Sequence, residues 1–431
     1  MLKKIFLSLL IISVVSTFFG VVSAQEPPES FRVLCNIVHK NVATVGQGGD
    51  IIPSWLNQTG VKNIEWQTLA NVPLHERFFR ESTLKETDVD VFYLLNTFAT
   101  PQVANMLEPL DDYLKSDPIE GFPEDFPKGI VDAITFNGKL YGIPIRHATS
   151  SFHYNEELFK ERGLEGPPTT VEEFYDYAKK LTYTRSDGSK VYGFVFDTVS
   201  TVGGYVTLAR AWDGDILTTD YKVVCNKPPM VKAITMLRDF YLEGVWPNVS
   251  IDSAEMDRWM QTGRAAMTMT GIGRNIIYNN PDLGSQFPGK IKAAPIPVSK
   301  ELTGYEMGPT KTEFWCMTIP KNAKNKDLSW SFIKYLSTKE SALAMALNGN
   351  GPTRLSVYDD PIFKSKTNNS DLECKLLQTA RVPFPAFEKS AEGQDVALNE
   401  IQAALLGVKT PQQAMDDLAE ELERLLKESG L

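Results

Sequence analysis

Residues Asn137 to Leu181, NGKLYGIPIRHATSSFHYNEELFKERGLEGPPTTVEEFYDYAKKL, carry the plan of the fold in one stretch. Leu140 to Ile145 is an apolar run punctuated by Gly142 and Pro144. It predicts a buried strand that stops near Pro144, because proline has no N–H to give to a central ladder. Arg146 and His147 are then expected to project where the strand ends. Asn155 is placed to cap a helix with an acidic first turn (Glu156, Glu157) and a basic last turn (Lys160, Arg162). Gly163 supplies the left-handed stop. Thr170 and Glu173 form a capping box ahead of Val171, Phe174, Tyr177, Ala178 and Leu181, which share one helix face. The order is a buried strand, a crossing point and two capped helices.

Outward from this stretch, Phe31 to Val38 and Asp90 to Leu95 predict two more buried strands. Between them, Asp50 to Leu56 and His75 to Leu84 predict helices, with His75 on a solvated face. Strands that alternate with helices argue for a parallel α/β sheet. Further strands are expected at residues 191–196, 265–270, 291–296 and 314–319, and helices at 231–242, 327–337 and 396–406. The last helix is predicted to start at Thr410-Pro411, with Gln413 completing a capping box and Met415, Leu418, Leu422 and Leu425 on its apolar face. The chain has no repeat and no low-complexity linker. Two domains in such a chain are expected to be joined by crossing strands.

Composition bounds the class. Lys3 and Lys4, an apolar run from Ile5 to Val22, and Val22-Ser23-Ala24 predict a secretory leader cleaved before Gln25. An uncleaved anchor is the alternative, since a run of about 18 residues is borderline for spanning. No cysteine directly follows the run, so lipid anchoring is not expected and a periplasmic location is. Loss of Lys3 and Lys4 with the leader takes the net charge from −10 to −12. Blocks of basic residues are absent, which argues against nucleic acid and lipid surfaces as partners. With 42% hydrophobic residues in 431, the chain can build two cores. Cys35, Cys225, Cys316 and Cys374 allow three disulfide pairings; reduced buried thiols are the alternative for Cys35 and Cys316. Four scattered histidines and the lack of HExxH, G-x-S-x-G and CxxC predict neither metal nor cofactor. Gly284 to Lys290 nearly spells a phosphate loop, but Ile291 stands where Ser or Thr belongs.

Three motifs of the opening stretch, GK-x-YG-x-P, YN-x-x-LF-x-x-x-G and PPTT-x-x-E-F, occur in an order that resembles the extracellular solute-binding proteins of ABC importers. The resemblance is to the sugar-binding family that includes maltose-binding protein. Thr262–Met267, Ala294–Pro297, Asp327–Leu336, Asn350–Arg354 and Gly407–Pro411 resemble further motifs of that family. The resemblance implies an α/β, two-lobed periplasmic-binding-protein fold (type II-like) with parallel sheets in each lobe and a ligand cleft between them. It implies chain crossings near Ile143–Ala148, Trp315–Met317 and Ser356. One lobe is expected to comprise residues 25–144 and 316–356, the other residues 145–315 and 357–431. The implied function is capture of a carbohydrate by a monomer that closes on it and delivers it to the permease subunits of an ABC importer. A chemoreceptor is a further expected partner, and no catalytic residue is expected.

Sugar recognition needs flat apolar rings for C–H faces and a fan of polar groups for hydroxyls. Loops that follow strands supply the candidates: His39 and Gln47, then Asn96 and Phe98, then Arg146 and His147 at the first crossing. In the second lobe they are Asp197, Tyr205, Trp212, Arg274, Phe384 and Phe387. An isolated aromatic in a loop more often fills the core beneath it than serves as a platform. Many neutral-sugar binders of the family place carboxylates at the crossing, whereas here Arg146 and His147 stand there, and Arg274 stands in place of an aromatic. Two ligands stay open: an anionic sugar or sugar/polyol phosphate held by these arginines, or a neutral saccharide with the arginines paired internally. The runner-up class is a periplasmic glycosidase using two carboxylates.

Overall fold

The structure, a computed structural model, describes residues 28–247 and 250–431, and the expected leader with its cleavage site lies outside the described residues. Strand β1 (Ser30–Cys35) pairs in parallel with β2 (Asn63–Thr68) and β3 (Val91–Leu95). Strands β4 (Thr135–Phe136) and β5 (Lys139–Leu140) make a separate hairpin. Then follow β6 (Ile143–Asn155), β7 (Tyr183–Thr184), β8 (Lys190–Phe194), β9 (Ala265–Gly271), β10 (Ile291–Ala294) and β11 (Thr312–Thr318). One sheet runs in the order β2-β1-β3-β11-β6-β9-β8-β7, with β10 also on β6. The β8–β9 pair is parallel like those of the first lobe, while the ladders around β6 and β11 are antiparallel. The sheet is therefore mixed where the chain crosses between lobes.

Two large cores flank the crossing. One gathers Phe31, Trp55, Phe92, Phe314 and Phe332; the other gathers Phe152, Phe174, Phe194, Trp246 and Leu418. A smaller core of Val357, Tyr358, Phe363 and Leu377 lies beside them. Both expected capping boxes form, at Thr170 with Glu173 and at Thr410 with Gln413. Asn155 accepts from the N–H of Glu157 at 3.0 Å, and Gly163 is left-handed at φ 67°.

The strand expected to end at Pro144 instead runs on for 13 residues to Asn155. Cys316 pairs with Pro144 and Trp315 with Arg146, so Ile145 is an extra residue on β6. A bulge of this kind tolerates a proline without a donor, and the strand continues through it. The run from Phe31 also differs from expectation: β1 stops at Cys35, and Asn36 caps a helix over Ile37–Thr44 by accepting from the N–H of Val38. Ser356 docks on Asp125 of the first lobe through its N–H and hydroxyl. The chain passes beside β11 at Arg381, where Arg381 and Thr312 exchange backbone bonds with Thr310 and Arg381 at 3.0 Å. All four cysteines are free thiols, three of them buried.

Candidate functional site

Strands β6 and β11 lie side by side between the lobes, with Trp315 opposite Arg146 and Glu313 opposite Ala148. Side chains alternate across a strand. Arg146, Glu313 and Trp315 are half-buried and Ala148 exposed, whereas His147, Thr149, Thr312 and Phe314 between them are buried. One face of this pair is thus the floor of a cleft, and the other is packed over.

The wall on the first lobe is aromatic. Trp315 meets the ring of His39 edge-on at 4.6 Å, and His39 in turn meets Tyr93 at 4.5 Å. Phe98, half-buried, stacks on His75 with centroids 3.9 Å apart and planes 13° from parallel. His75 is fully buried, not solvated as its place in the sequence suggested. Its Nδ1–H donates to the carbonyl of Asn71 at 2.6 Å, and its Nε2 accepts from the N–H of Leu95 at 3.1 Å. Both bonds need the neutral ring, and burial holds its pKa down to about 4. Burial, aided by the charge of Arg146, likewise holds His39 down to about 3.

The wall on the second lobe is polar. Asp197 follows β8, and its Oδ1 accepts from the N–H groups of Val199 and Ser200 at 3.2 and 2.9 Å. Its Oδ2 accepts from the hydroxyl of Ser253 at 2.5 Å. Burial works against the charged form, but the bonds from Ser253 and Ser200 outweigh it and hold the carboxyl below its ordinary range. Arg274 opens a short helix after β9 and is ion-paired with Asp257, which also accepts from the hydroxyl of Tyr278. Asp197 and Arg274 line a cavity of about 270 Å³ together with Ala148, Thr201, Lys311 and Glu313.

Two larger cavities, of about 510 and 500 Å³, border the contact between residues 96–103 of the first lobe and 382–394 of the second. Asn96 lines the first, although its Oδ1 accepts from the N–H of Phe314 at 2.8 Å. Phe98 and Phe387 line the second. The fold therefore puts Asp197 and Arg274 in one cavity, with Arg146 on the same strand face two residues from Ala148, which also lines it. Asn96 lines one and Phe98 and Phe387 the other of the two larger cavities, and His39 is buried behind Trp315. The other candidates stand elsewhere. Gln47 is exposed in the turn after the helix Ile37–Thr44. His147 points to the packed face, because it neighbours Arg146 on a strand that continues. Tyr205 is buried, its hydroxyl donating to the carbonyl of Thr198 at 3.1 Å. Trp212 and Phe384 pack on the second core.

Glu313 and Lys311 carry no expectation from the sequence, Trp315 only that of a crossing, and Thr201 only its place in the loop from Asp197 to Tyr205. The alternation in Thr312–Thr318, TEFWCMT, carries a signal for Glu313 and Trp315, since they fall on one face. Only the register with β6 places that face beside Arg146.

The sequence profile of the family described as bacterial extracellular solute-binding protein matches residues 80–370. A probable amino-acid ABC transporter periplasmic-binding protein of Sinorhizobium fredii is 24% identical over 324 residues, 72% of this chain and 71% of its own. A galactooligosaccharide-binding protein of Bacillus subtilis is 26% identical over 303 residues, 67% of this chain and 66% of its own. Among solved structures, maltose-bound MalE3 of T. maritima aligns with a TM-score of 0.71 at 23% identity, covering 92% of this chain and 99% of that one. At that identity the likeness speaks for the fold.

Proposed function

Because the chain belongs to the bacterial extracellular solute-binding protein family, we propose that it captures a carbohydrate or polyol between its lobes and delivers it to the membrane subunits of an ABC importer. The observation that carries this reading is a strand pair shared by both lobes that turns Arg146, Glu313 and the ring of Trp315 to one open face, beside a polar cavity lined by Asp197 and Arg274. Rings cover the C–H faces of a sugar, and fixed polar groups take its hydroxyls.

The lobes divide at the crossings: residues 25–144 with 316–356 form one, and 145–315 with 357–431 the other. Each supplies part of the site, so a ligand that touches both favours the closed form by no more than its differential affinity for closed over open. The closed surface is what permease subunits, or a chemoreceptor, would read. The protein acts as a periplasmic monomer, freed of its leader before Gln25, and binds without turnover.

A thermal-shift screen of residues 25–431 against mono- and oligosaccharides, polyols, uronic acids and sugar phosphates tests the reading. A ligand at 100 times its Kd adds about 2.7 kcal/mol of stability. Silence across the panel removes the carbohydrate reading, and chemical conversion of a bound sugar would return the glycosidase.

A further inference from the structure

Three cations stand at the cleft, and two of them are matched by acids. Arg274 is paired with Asp257, and Lys311 lies 3.7 Å from Glu313. Arg146 has no acid at ion-pairing distance among the described residues. One of its terminal nitrogens donates to Asn350 Oδ1 at 3.1 Å and, weakly, to the carbonyl of Gly349 at 3.5 Å. Among the described residues its Nε and second terminal nitrogen donate to nothing. The side chain is only half-buried, and it stands on the open face of the floor directly across the ladder from Trp315. Its partial burial disfavours the charge it carries. A guanidinium that gives up water without gaining a counter-ion is poised for one.

The opposite wall has the reverse imbalance. Asp197 carries no ion pair among the described residues, and its three hydrogen bonds fix it beside Ser200 and Thr201. The cleft is therefore polarised, with an unmatched cation on the crossing strand and an unmatched anion on the second lobe. An anionic group placed at Asp197 would be repelled, and one placed at Arg146 would gain a charge-assisted fork.

We propose that the ligand is a sugar or polyol bearing one anionic group, phosphate or carboxylate, held by Arg146 with its hydroxylated end turned toward Asp197. This inference rests on the capture reading above. Trp315 then covers the apolar face next to the charged end, and Ser200 and Thr201 meet the hydroxyls. The polarity gives the ligand one orientation in the cleft, and it disfavours cationic sugars.

The test is calorimetric titration of the mature chain with matched pairs: sn-glycerol 3-phosphate against glycerol, glucose 6-phosphate against glucose, and glucuronate against glucose. In at least one pair the charged member should bind about ten- to a hundredfold tighter, the range expected for hydrogen bonds to a charged group. Whether a phosphate or the carboxylate shows the preference identifies the anion. Arg146→Gln should abolish the preference, and Arg146→Lys should retain part of it because the charge survives without the fork. Neutral members that bind as well as or better than their charged partners in every pair that binds overturn the inference and leave the capture reading standing. A preference that persists in Arg146→Gln overturns it as well. Silence from every charged and uncharged member overturns the inference, and the capture reading is then decided by the wider thermal-shift panel.

Discussion

Arg146 and His147 are neighbours in sequence but face opposite sides of β6, and their chemistry differs accordingly. His147 accepts from the N–H of Thr149 at Nδ1, 3.2 Å away, so its proton sits on Nε2. Nε2 then faces the hydroxyl oxygen of Tyr358 at 2.7 Å and a carboxyl oxygen of Glu373 at 3.4 Å, while Tyr358 donates to the carbonyl of Pro352. Burial pushes the Glu373 carboxyl up to about 7 and His147 down to about 3, so neither is charged in mildly acid solution. An acid whose pKa is raised by folding favours the fold fully below its unfolded value and loses that contribution as pH rises through the folded one. Wild-type protein should therefore lose stability relative to Glu373→Gln between about pH 5 and pH 8. Urea midpoints of the two proteins at pH 5, 6.5 and 8 check this; parallel profiles would mean that Glu373 titrates normally. On the cleft face, Trp315→Ala removes a ring from the aromatic wall. It should weaken ligand binding by about 0.5–1.5 kcal/mol beyond lost area, read as a rise in Kd by calorimetry.

At the scale of elements, local signals did what their chemistry requires. The Thr170 hydroxyl accepts from the N–H of Glu173 at 3.2 Å, and Glu173 returns a bond to the N–H of Thr170 at 3.3 Å. Thr170→Ala should cost about 1 kcal/mol in urea unfolding, the usual worth of an N-cap. Close approach between elements is set by glycine in β8, where a Cβ on Gly193 would meet the carbonyl oxygen of Ala178 at 1.8 Å. Gly193→Ala should force β8 away from the helix Val171–Lys180 and lower the urea midpoint by the equivalent of about 1–3 kcal/mol. A midpoint unchanged from wild type would mean the helix slides at no cost. The bulge at Ile145 belongs to the same scale: it lets Pro144 sit inside a strand that both lobes share.

At the scale of the whole molecule, the junction is held by a fully buried arginine. Arg210 is 0% exposed and pairs with Asp215, while its remaining donors reach the carbonyls of Thr310, Arg381 and Val382 at 2.7 to 2.9 Å. It ties a helix of the second lobe to two passages of the chain at the crossing. Arg210→Ala leaves three carbonyls without their donor and Asp215 with only Arg381, at 3.3 Å, as its counter-ion, and should destabilise by about 3–5 kcal/mol. Equilibrium unfolding followed by both tryptophan fluorescence and circular dichroism would register the loss.

The pieces whose signals are local are legible in the chain alone. Caps at Asn155, Thr170 and Thr410 satisfy orphan helix donors within three residues, and apolar runs such as Val91–Leu95 and Ala265–Thr270 are buried on both faces of a sheet. The family motifs between Gly138 and Phe174 then tied those pieces to a two-lobed architecture. Tertiary structure decided the site. Nothing local in Arg146-His147 says that Pro144 is absorbed by a bulge, and a strand that continues instead of ending sends alternate side chains to opposite faces. Nothing local tells that Trp315 lies across a ladder from Arg146, that Phe98 rests on His75, or that Asp257 neutralises Arg274 and leaves Arg146 alone. Those contacts join residues far apart in the chain, and only the register of the crossing strands brings them together.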